Sequence, residues 1–277
     1  MKKLTGLLLG SLFVLAGMSM EAQQAPPGPP KVLSIIREYV KPGRTGSMHD
    51  KSEAAFVKAM SDAKWPQHYL AVDSMSGPPR SLFLLGYDSF EAWEKDNKAA
   101  EKNAALSGAM ERAALADSEL LTSTDSAAFV YREDYSLRPD VDLPHMRYFE
   151  ISVFRVRTGH RGEFDELVKM YKEAYGQLPD THWAAYENVY GGQGVEVLFF
   201  NPLKSLAETD RSLAQNKQFA TTLGTEGMKK LRELAAASIE MSQTNLFAFN
   251  PRESYAADDW VKADPEFWKP KPAAGGR

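Results

Sequence analysis

The strongest constraint on the fold of this chain is that its sequence repeats itself. The segment THWAAYENVYG, residues 181–191, is matched by QHYLAVDSMSG, residues 67–77. In both segments a His is followed by an aromatic residue, an Ala lies two positions after that residue, and a Gly ends the segment. His182 lies 114 positions after His68. Repetition at one spacing predicts that the chain contains two copies of one structural unit.

Two further pairs of segments follow in the same order. VKPGRTGSMHD, residues 40–50, matches VRTGHRGEFDE, residues 156–166, at an offset of 116. FVYREDYS, residues 129–136, matches FAFNPRESYA, residues 247–256, where Arg132 is paired with Arg252 at an offset of 120. We therefore expect a first repeat over residues 31–136 and a second over residues 145–257, joined by a Pro-containing linker.

Each copy is predicted to run strand, helix, strand, strand, helix, strand. Residues 147–156 are rich in β-branched and aromatic side chains, as in strands, and residues 164–175 carry an apolar stripe at helical spacing. The glycines of residues 191–194 predict a hairpin, and the last long helical region is expected to break near Gly224. In the first copy, Phe90 and Trp93 are expected to pack on the sheet. This order is that of the ferredoxin-like α+β unit, and two such units can bury their bare sheet faces against each other around a cavity.

The two ends of the chain lie outside these repeats. Lys2 and Lys3 precede an apolar run over residues 6–18, which is shorter than the ~20 residues of a membrane-spanning helix. We interpret residues 1–25 as a cleaved bacterial signal peptide, with an uncleaved anchor as the alternative, and expect a periplasmic or secreted protein without a stable membrane span. APPGPP, residues 25–30, reads as an extended tether, and residues 258–277 read as a tail held by Trp260, Phe267 and Trp268.

Composition limits the chemistry. The chain has no Cys, which excludes disulfides, thiolate nucleophiles and thiolate metal sites. Its formal net charge of −4 does not favour nucleic acid, whose binders carry clustered Lys and Arg. No nucleic-acid partner is therefore expected, whereas self-association into a homo-oligomer is left open.

The opening of each copy resembles a known family. REYVKPGRTGSMHDK and FEISVFRVRTGHRGEFDELVKMY look like the start of NIPSNAP-type domains of the dimeric α/β-barrel superfamily, in which a strand leads through a Gly-containing turn into an amphipathic helix. The resemblance covers nearly all of the predicted mature chain, and it implies two tandem ferredoxin-like units packed as an intrachain α/β barrel with a cavity. The superfamily includes cofactor-free monooxygenases, haem-degrading and haem-dependent enzymes and small-ring isomerases, so the resemblance does not select a reaction.

The repeated histidines are the first candidates for chemistry. His182 and His68 could act as a general base, as a haem ligand or as an anchor for an anionic ligand. The alternative is that each begins a strand and bonds a nearby backbone carbonyl. No cofactor is predicted for the chain, with haem as the one cofactor hypothesis that these residues would support.

Four polar side chains on strands are candidate ligand-binding groups: Arg37, Tyr39, Tyr186 and Asn188. Strand alternation places Arg37 with Tyr39 on one face, and Tyr186 with Asn188 and His182 on another. If these faces line the cavity, they suit a small, largely apolar ligand. The alternative is that they face solvent.

Other motifs are interpreted as structural. His49, His145 and His160 are expected to be solvated, and the His160–Glu163 spacing has no further His or Cys partner, so no metal site is predicted. No GxSxG elbow accompanies a His and an Asp, which leaves a hydrolase triad without support. The favoured function is an exported protein that binds or transforms a small, largely apolar molecule between its sheets. Alternatives are a non-catalytic envelope scaffold and a haem-handling protein.

Overall fold

The computed structural model describes residues 28–269. The predicted signal peptide and the start of the tether therefore lie outside the described residues. The first half contains β1 Val32–Val40, α1 Ser47–Asp62, β2 Tyr69–Ser74, β3 Arg80–Tyr87, α2 Phe90–Lys102, α3 Ala104–Ser118 and β4 Leu121–Tyr131. The second half contains a 3₁₀ turn Leu143–His145, β5 Tyr148–Val156, α4 Arg161–Gly176, β6 Ala184–Tyr190, β7 Val195–Leu203, α5 Ala207–Ser238 and β8 Ile239–Phe249. Two short helices follow, α6 Asp258–Ala263 and α7 Pro265–Trp268.

The eight strands form one closed antiparallel barrel in the order β1-β3-β2-β8-β5-β7-β6-β4. Two pairings join the halves: Val72 of β2 lies opposite Phe249 of β8, and Tyr131 of β4 lies opposite Tyr186 of β6. The two four-stranded sheets are thus joined edge to edge, and closure leaves no unpaired sheet edge.

Alternation along every strand divides the side chains between the barrel interior and the helices outside. One buried cluster takes residues from all eight strands, including Leu33, Val72, Phe129 and Phe247, so it fills the interior. A second cluster lies under α4 and α5, and a third lies between α1, α3 and the outer face of the first sheet. Strand faces are therefore apolar on both sides over much of the barrel.

The helices follow the predicted order with local differences. The second helical region of the first half divides into α2 and α3 at Asn103, whose side chain accepts a hydrogen bond from Leu106 N. The predicted break in α5 is confirmed at Gly224, where φ is 65° and ψ is 179°. α2 packs less deeply on the sheet than expected, because none of its residues is buried and Phe90 is 39% exposed. Trp93 stacks on the ring of Tyr87 in β3, and its ring also lies 6.2 Å from that of Phe90.

The C-terminal helices cover one end of the barrel. Trp268 is 4% exposed and belongs to the interior cluster, and Trp260 and Phe267 pack against it. The indole nitrogen of Trp268 also donates a hydrogen bond of 2.9 Å to Pro144 O. The three aromatic residues that the sequence proposed as anchors of the tail therefore hold its described part, residues 258–269, against the barrel.

The loop after the last strand of each half crosses to the other half. Arg132 N donates to Ala185 O and Asn250 N donates to Ala71 O, at 2.8 and 2.9 Å. In the same way Ala185 N donates to Ser136 Oγ, and Ala71 N donates to Ser254 Oγ, both at 2.9 Å. These bonds pair Arg132 with Asn250 and Ser136 with Ser254.

The sequence alignment of these two loops is therefore wrong by two residues. Paired by their hydrogen bonds, Glu253 corresponds to Tyr135 and not to Glu133. The difference matters because Glu253 and Tyr135 then occupy the same place in the two halves with different chemistry.

Candidate functional site

A small cavity opens at the end of the barrel that lies away from the C-terminal helices. Its volume is about 160 Å³. It is lined by Ile35, Arg37, Tyr39, Arg80, Leu82, Ile151, Val153, Glu196, Leu198, Met241, Gln243, Asn245 and Phe247. Seven of these thirteen residues are apolar and six are polar or charged. Arg37, Tyr39 and Arg80 lie near strand ends, whereas Gln243 and Asn245 lie in the middle of β8.

The charged groups of this cavity differ in whether they have an ion-pair partner. Arg37 Nε donates to Asp125 Oδ1 at 2.5 Å, and Arg155 pairs with Glu196 at 3.1 Å. No carboxylate oxygen of residues 28–269 lies within 4.0 Å of the Arg80 guanidinium. Burial lowers the pKa of Arg80, and the like charge of Arg37 adds to this against an opposing effect of Tyr39. Arg80 is thus a partly buried cation without an anionic partner in this part of the chain.

Neutral groups hold Arg80 in position. Its guanidinium carbon lies 5.1 Å from the centre of the Phe247 ring, a cation–π contact. The Asn245 amide satisfies its hydrogen bonds when its oxygen accepts from Arg80 Nη2 at 3.2 Å and from Gln243 Nε2 at 3.1 Å. These contacts orient the cation without neutralising it.

The structure separates the four predicted ligand-binding residues. Arg37 and Tyr39 line the cavity. Tyr186 lies in the barrel core, where its hydroxyl donates to Pro30 O at 3.0 Å and burial raises its pKa. Asn188 accepts a hydrogen bond from Glu196 N at 2.7 Å across the β6–β7 hairpin. Tyr186 and Asn188 therefore act as structural groups in this arrangement.

Neither repeated histidine lines the cavity. His182 Nε2 donates to Pro202 O at 2.8 Å. His68 Nδ1 lies 3.2 Å from Tyr255 O, and its ring stacks on that of Tyr255 at 4.5 Å. These contacts match the alternative in which each His bonds a backbone carbonyl at a strand start. The geometry gives no support to His182 and His68 as the polar handles of the cavity.

A second polar cluster, which the sequence did not predict, lies outside the barrel beneath α1. We call it the acid–histidine cluster; its members are Glu38, His49, Glu53, Asp117 and Glu253. His49 was expected to be solvated, and this is wrong, since it is 2% exposed. Its Nδ1 lies 2.9 Å from Glu253 Oε1, and its Nε2 lies 3.2 Å from Glu38 Oε2. His145 and His160, by contrast, are well exposed at 43% and 39%.

The acid–histidine cluster carries more acids than it can neutralise. Glu53, Asp117 and Glu253 are 3%, 1% and 1% exposed. Burial disfavours the charged imidazole, but hydrogen bonds to Glu253 and Glu38 outweigh this and raise the pKa of His49 to about 11. Burial, with the neighbouring carboxylates, raises the pKa of Glu53 to about 10, and burial raises that of Glu253 to about 8 against the effect of His49.

Four buried side-chain atoms around this cluster have no hydrogen-bond partner: Glu53 Oε1, Tyr69 OH, Asp117 Oδ1 and Glu253 Oε2. Buried polar atoms are satisfied in the large majority of cases, so each exception calls for a physical reason. Two of the four residues, Glu53 and Asp117, each have a side-chain oxygen within 4.8 Å of ligand atoms of Glu38 and His49.

A sequence signal for this cluster existed in α1. Glu53 lies four residues after His49, and Val57 and Met60 continue the same stripe at helical spacing. A stripe that starts with two ionisable residues and continues with apolar ones indicates ionisable residues on the buried face. Glu38, Asp117 and Glu253 come from β1, the end of α3 and the loop after β8, and their approach depends on tertiary structure.

No protein-family model and no curated protein matches the sequence. Solved structures that are similar to this chain include an anthrone oxidase-like protein, with 15% identity over 79% of this chain and 92% of that chain and a TM-score of 0.49. A candidate monooxygenase from Lactobacillus acidophilus NCFM has 7% identity over 79% and 93% of the two chains and a TM-score of 0.47. A mutant chlorite dismutase from Candidatus Nitrospira defluvii has 9% identity over 84% and 95%, with a TM-score of 0.48. At such values the similarity says nothing about activity.

Proposed function

We propose that this protein binds a small, largely apolar molecule with one anionic group in the barrel cavity. The observation that carries the proposal is Arg80, a partly buried cation that meets no carboxylate among the described residues. A buried charge is costly without a counter-charge, so an anion placed against Arg80 is favoured. The apolar wall around it favours a ligand with an apolar body.

The size of the cavity limits the ligand. A dry cavity of about 150 Å³ is known to accommodate benzene, and the volume here is about 160 Å³. A single ring or a branched chain of similar bulk therefore fits the space, with its anionic group towards Arg80.

The described lining supports binding more directly than catalysis. Tyr39 and Glu196 are lining groups that could move a proton, and Glu196 is already paired with Arg155 at 3.1 Å. We further propose that, where the bound molecule is also transformed, Tyr39 and Glu196 act as the proton-transfer groups in place of His182 and His68.

The wider setting is also part of the proposal. We propose that the chain is a NIPSNAP-like tandem duplication of a ferredoxin-like unit, and that it is exported to the periplasm or the exterior of a bacterium. The repeated element order and the matching loop contacts support duplication. Export rests on the sequence of residues 1–25. Among residues 28–269, no helix has both the length and the hydropathy needed to cross a bilayer.

A comparison of benzoate with benzyl alcohol tests the cavity. Both probes match the proposed size, and only benzoate offers an anion to Arg80. We expect benzoate to raise the melting temperature more than benzyl alcohol, and Arg80→Gln to weaken benzoate binding at least about tenfold by calorimetry. Arg232→Gln, on the exposed face of α5, is the matched control and should change nothing.

A cavity-filling variant gives an independent check. Val153→Phe should remove binding of both probes while the protein stays folded, because the larger ring occupies the space. Equal binding of benzoate by the wild type and by Arg80→Gln, or no binding of either probe, would reject the proposal.

The two alternative functions fare differently. A cavity whose lining includes polar as well as apolar groups is evidence against a tightly filled scaffold, although the positions of His68 and His182 are those that a scaffold predicts. Haem does not fit the described cavity, whose volume of about 160 Å³ is below the ~300 Å³ at which pockets for drug-sized ligands begin. Neither His lines it, so we derive no step through haem. A Soret band on adding haem, lost in His182→Ala, would reverse this conclusion.

A further inference from the structure

We infer that the acid–histidine cluster binds one divalent first-row metal ion through Glu38, His49, Glu53 and Asp117. Each of these residues offers one ligand atom, and the four atoms lie within 4.8 Å of one another. The site lies outside the barrel, beneath α1, and is separate from the cavity proposed above.

The histidine is oriented as a metal ligand requires. Nδ1 of His49 faces Glu253 Oε1 at 2.9 Å, so the Nδ1–H can donate to that carboxylate. Nε2 then points towards Glu38 Oε2 at 3.2 Å and Asp117 Oδ1 at 3.9 Å. A carboxylate that holds the far nitrogen of a ligating imidazole is the usual outer partner in metal sites. Glu253 is therefore a positioning residue.

Two buried oxygens without hydrogen-bond partners support the binding of a cation. Glu53 Oε1 and Asp117 Oδ1 are buried without a hydrogen-bond partner, although their residues are only 3% and 1% exposed. Burying an acid without pairing costs several kcal/mol in general. A divalent cation bound between these oxygens and His49 would satisfy both atoms.

The second half of the molecule shows that the fold does not need these acids. β1 and β5 both have nine residues, which places Phe154 at the position of Glu38. Phe164 packs between Tyr135 and Phe154 as His49 lies between Glu253 and Glu38. This places Val168, four residues further along α4, at the position of Glu53. Lys41 N bonds Leu120 O as Arg157 N bonds Ser238 O, which places Ala235 at the position of Asp117.

All three of these replacements are apolar and belong to the cluster beneath α4 and α5. The loop residue that corresponds to Glu253 is Tyr135, which belongs to the same cluster. An apolar filling of this space is thus sufficient for folding, and the acids of the first half serve another purpose.

The donor set selects the kind of metal. Imidazole favours zinc, iron, copper or nickel over magnesium and calcium, and carboxylates extend the range to manganese. One nitrogen and three carboxylates suit four-coordinate Zn²⁺, whose ligand atoms lie about 3.3 Å apart at bond lengths of about 2.0–2.1 Å. The 3.2 Å between His49 Nε2 and Glu38 Oε2 already meets this spacing. Asp117 and Glu53 would move inwards by changing rotamer.

A competition titration tests the inference. The purified chain is stripped with a chelator and titrated with Zn²⁺ against a chromophoric chelator. We expect one site per chain with a submicromolar Kd, weakened at least about 100-fold by Glu53→Gln and by Asp117→Asn. Glu253→Gln should weaken it about 10- to 100-fold, as outer-sphere changes do. Mn²⁺ should bind more weakly than Zn²⁺, and Mg²⁺ more weakly still.

The matched control is an exposed His–Glu pair. His160 Nδ1 and Glu163 Oε1 lie 3.0 Å apart on the surface, and Glu163→Gln should leave the Zn²⁺ affinity unchanged. If Glu53→Gln does not fold, Glu53→Val replaces it, because Val168 shows that the fold accepts Val at the corresponding position. No Zn²⁺ binding, or equal affinity in the wild type and in the Glu53 variant, overturns the inference.

Discussion

The space beneath the first helix is filled in opposite ways in the two halves of the molecule. In the second half Val168 is 4% exposed among aromatic and aliphatic side chains. In the first half Glu53 is 3% exposed, with Asp117 and His49 beside it. The backbone around both spaces is held by the same kind of hydrogen bond, which Ala185 N donates to Ser136 Oγ in one case and Ala71 N donates to Ser254 Oγ in the other.

The comparison separates what the fold requires from what a site requires. Each half needs a helix packed on the outer face of its sheet, and apolar side chains are enough for this. Buried acids reduce stability unless they are paired. Their presence beneath α1 and not at the corresponding place beneath α4 is best explained by a ligand. Four predictions test this difference between the two halves.

The largest effect is expected from placing an acid in the apolar half. Leu167→Glu would bury a carboxyl group among the residues of the second cluster, with no partner arranged for it. We expect a loss of about 3–5 kcal/mol in the free energy of unfolding, measured by urea denaturation. Leu167→Met is the control and should cost less than ~1.5 kcal/mol. A Leu167→Glu variant as stable as the wild type would show that the two spaces are equivalent.

The opposite substitution should stabilise the metal-free protein. Glu53→Leu replaces a buried acid by an apolar residue, as the second half has in Val168 at this position. Replacing buried ionic groups by apolar ones of similar volume is often neutral or stabilising by about 1–4 kcal/mol. We expect a gain in the metal-free state and no further stabilisation by Zn²⁺. A destabilised Glu53→Leu that still responds to Zn²⁺ would contradict the assignment of Glu53 as a ligand.

The two crossing loops should respond alike. Ser136→Ala leaves Ala185 N without its acceptor, and Ser254→Ala does the same to Ala71 N. Both amides belong to residues with 0% exposure, so each variant should lose about 1–3 kcal/mol. Denaturation of both variants with chelator present measures this directly. A loss of stability in only one of the two variants would contradict the structural correspondence of Ser136 with Ser254.

The smallest effect concerns the ion pairs of the second half. A hydrogen bond from Arg161 lowers the pKa of Glu187, assisted by Arg132. Because the folded pKa lies below the unfolded one, this stabilisation is present above the unfolded pKa and is lost as the pH falls through the folded value. Glu187→Gln should therefore reduce the loss of stability between about pH 5 and pH 3. Identical acid-denaturation curves for the variant and the wild type would show that Glu187 does not contribute to the pH dependence of stability.

Much of the fold followed from the sequence. The order of elements in each half, the hairpin after Tyr190 and the break at Gly224 depend on local sequence patterns. Closure into one barrel depends on β2 meeting β8 and β4 meeting β6, and no local pattern encodes these partners. The depth at which α2 packs is also set by tertiary contacts.

The site was less accessible from the sequence. Repetition drew attention to His68 and His182, which recur because each bonds a backbone carbonyl near the start of a strand. His49 does not recur as a His, and it becomes a candidate only when Glu38, Asp117 and Glu253 arrive from three other elements. The two-residue error in aligning the crossing loops also hid the replacement of Glu253 by Tyr135.

X-ray absorption at the zinc edge tests the metal site most directly. The protein is loaded with one equivalent of Zn²⁺ after removal of bound metal. We expect a first shell of about four nitrogen and oxygen atoms at about 2.0–2.1 Å, with outer-shell scattering from one imidazole. That scattering should disappear in His49→Gln and persist in His160→Gln. A six-coordinate hydrated spectrum, or imidazole scattering that survives in His49→Gln, would contradict it.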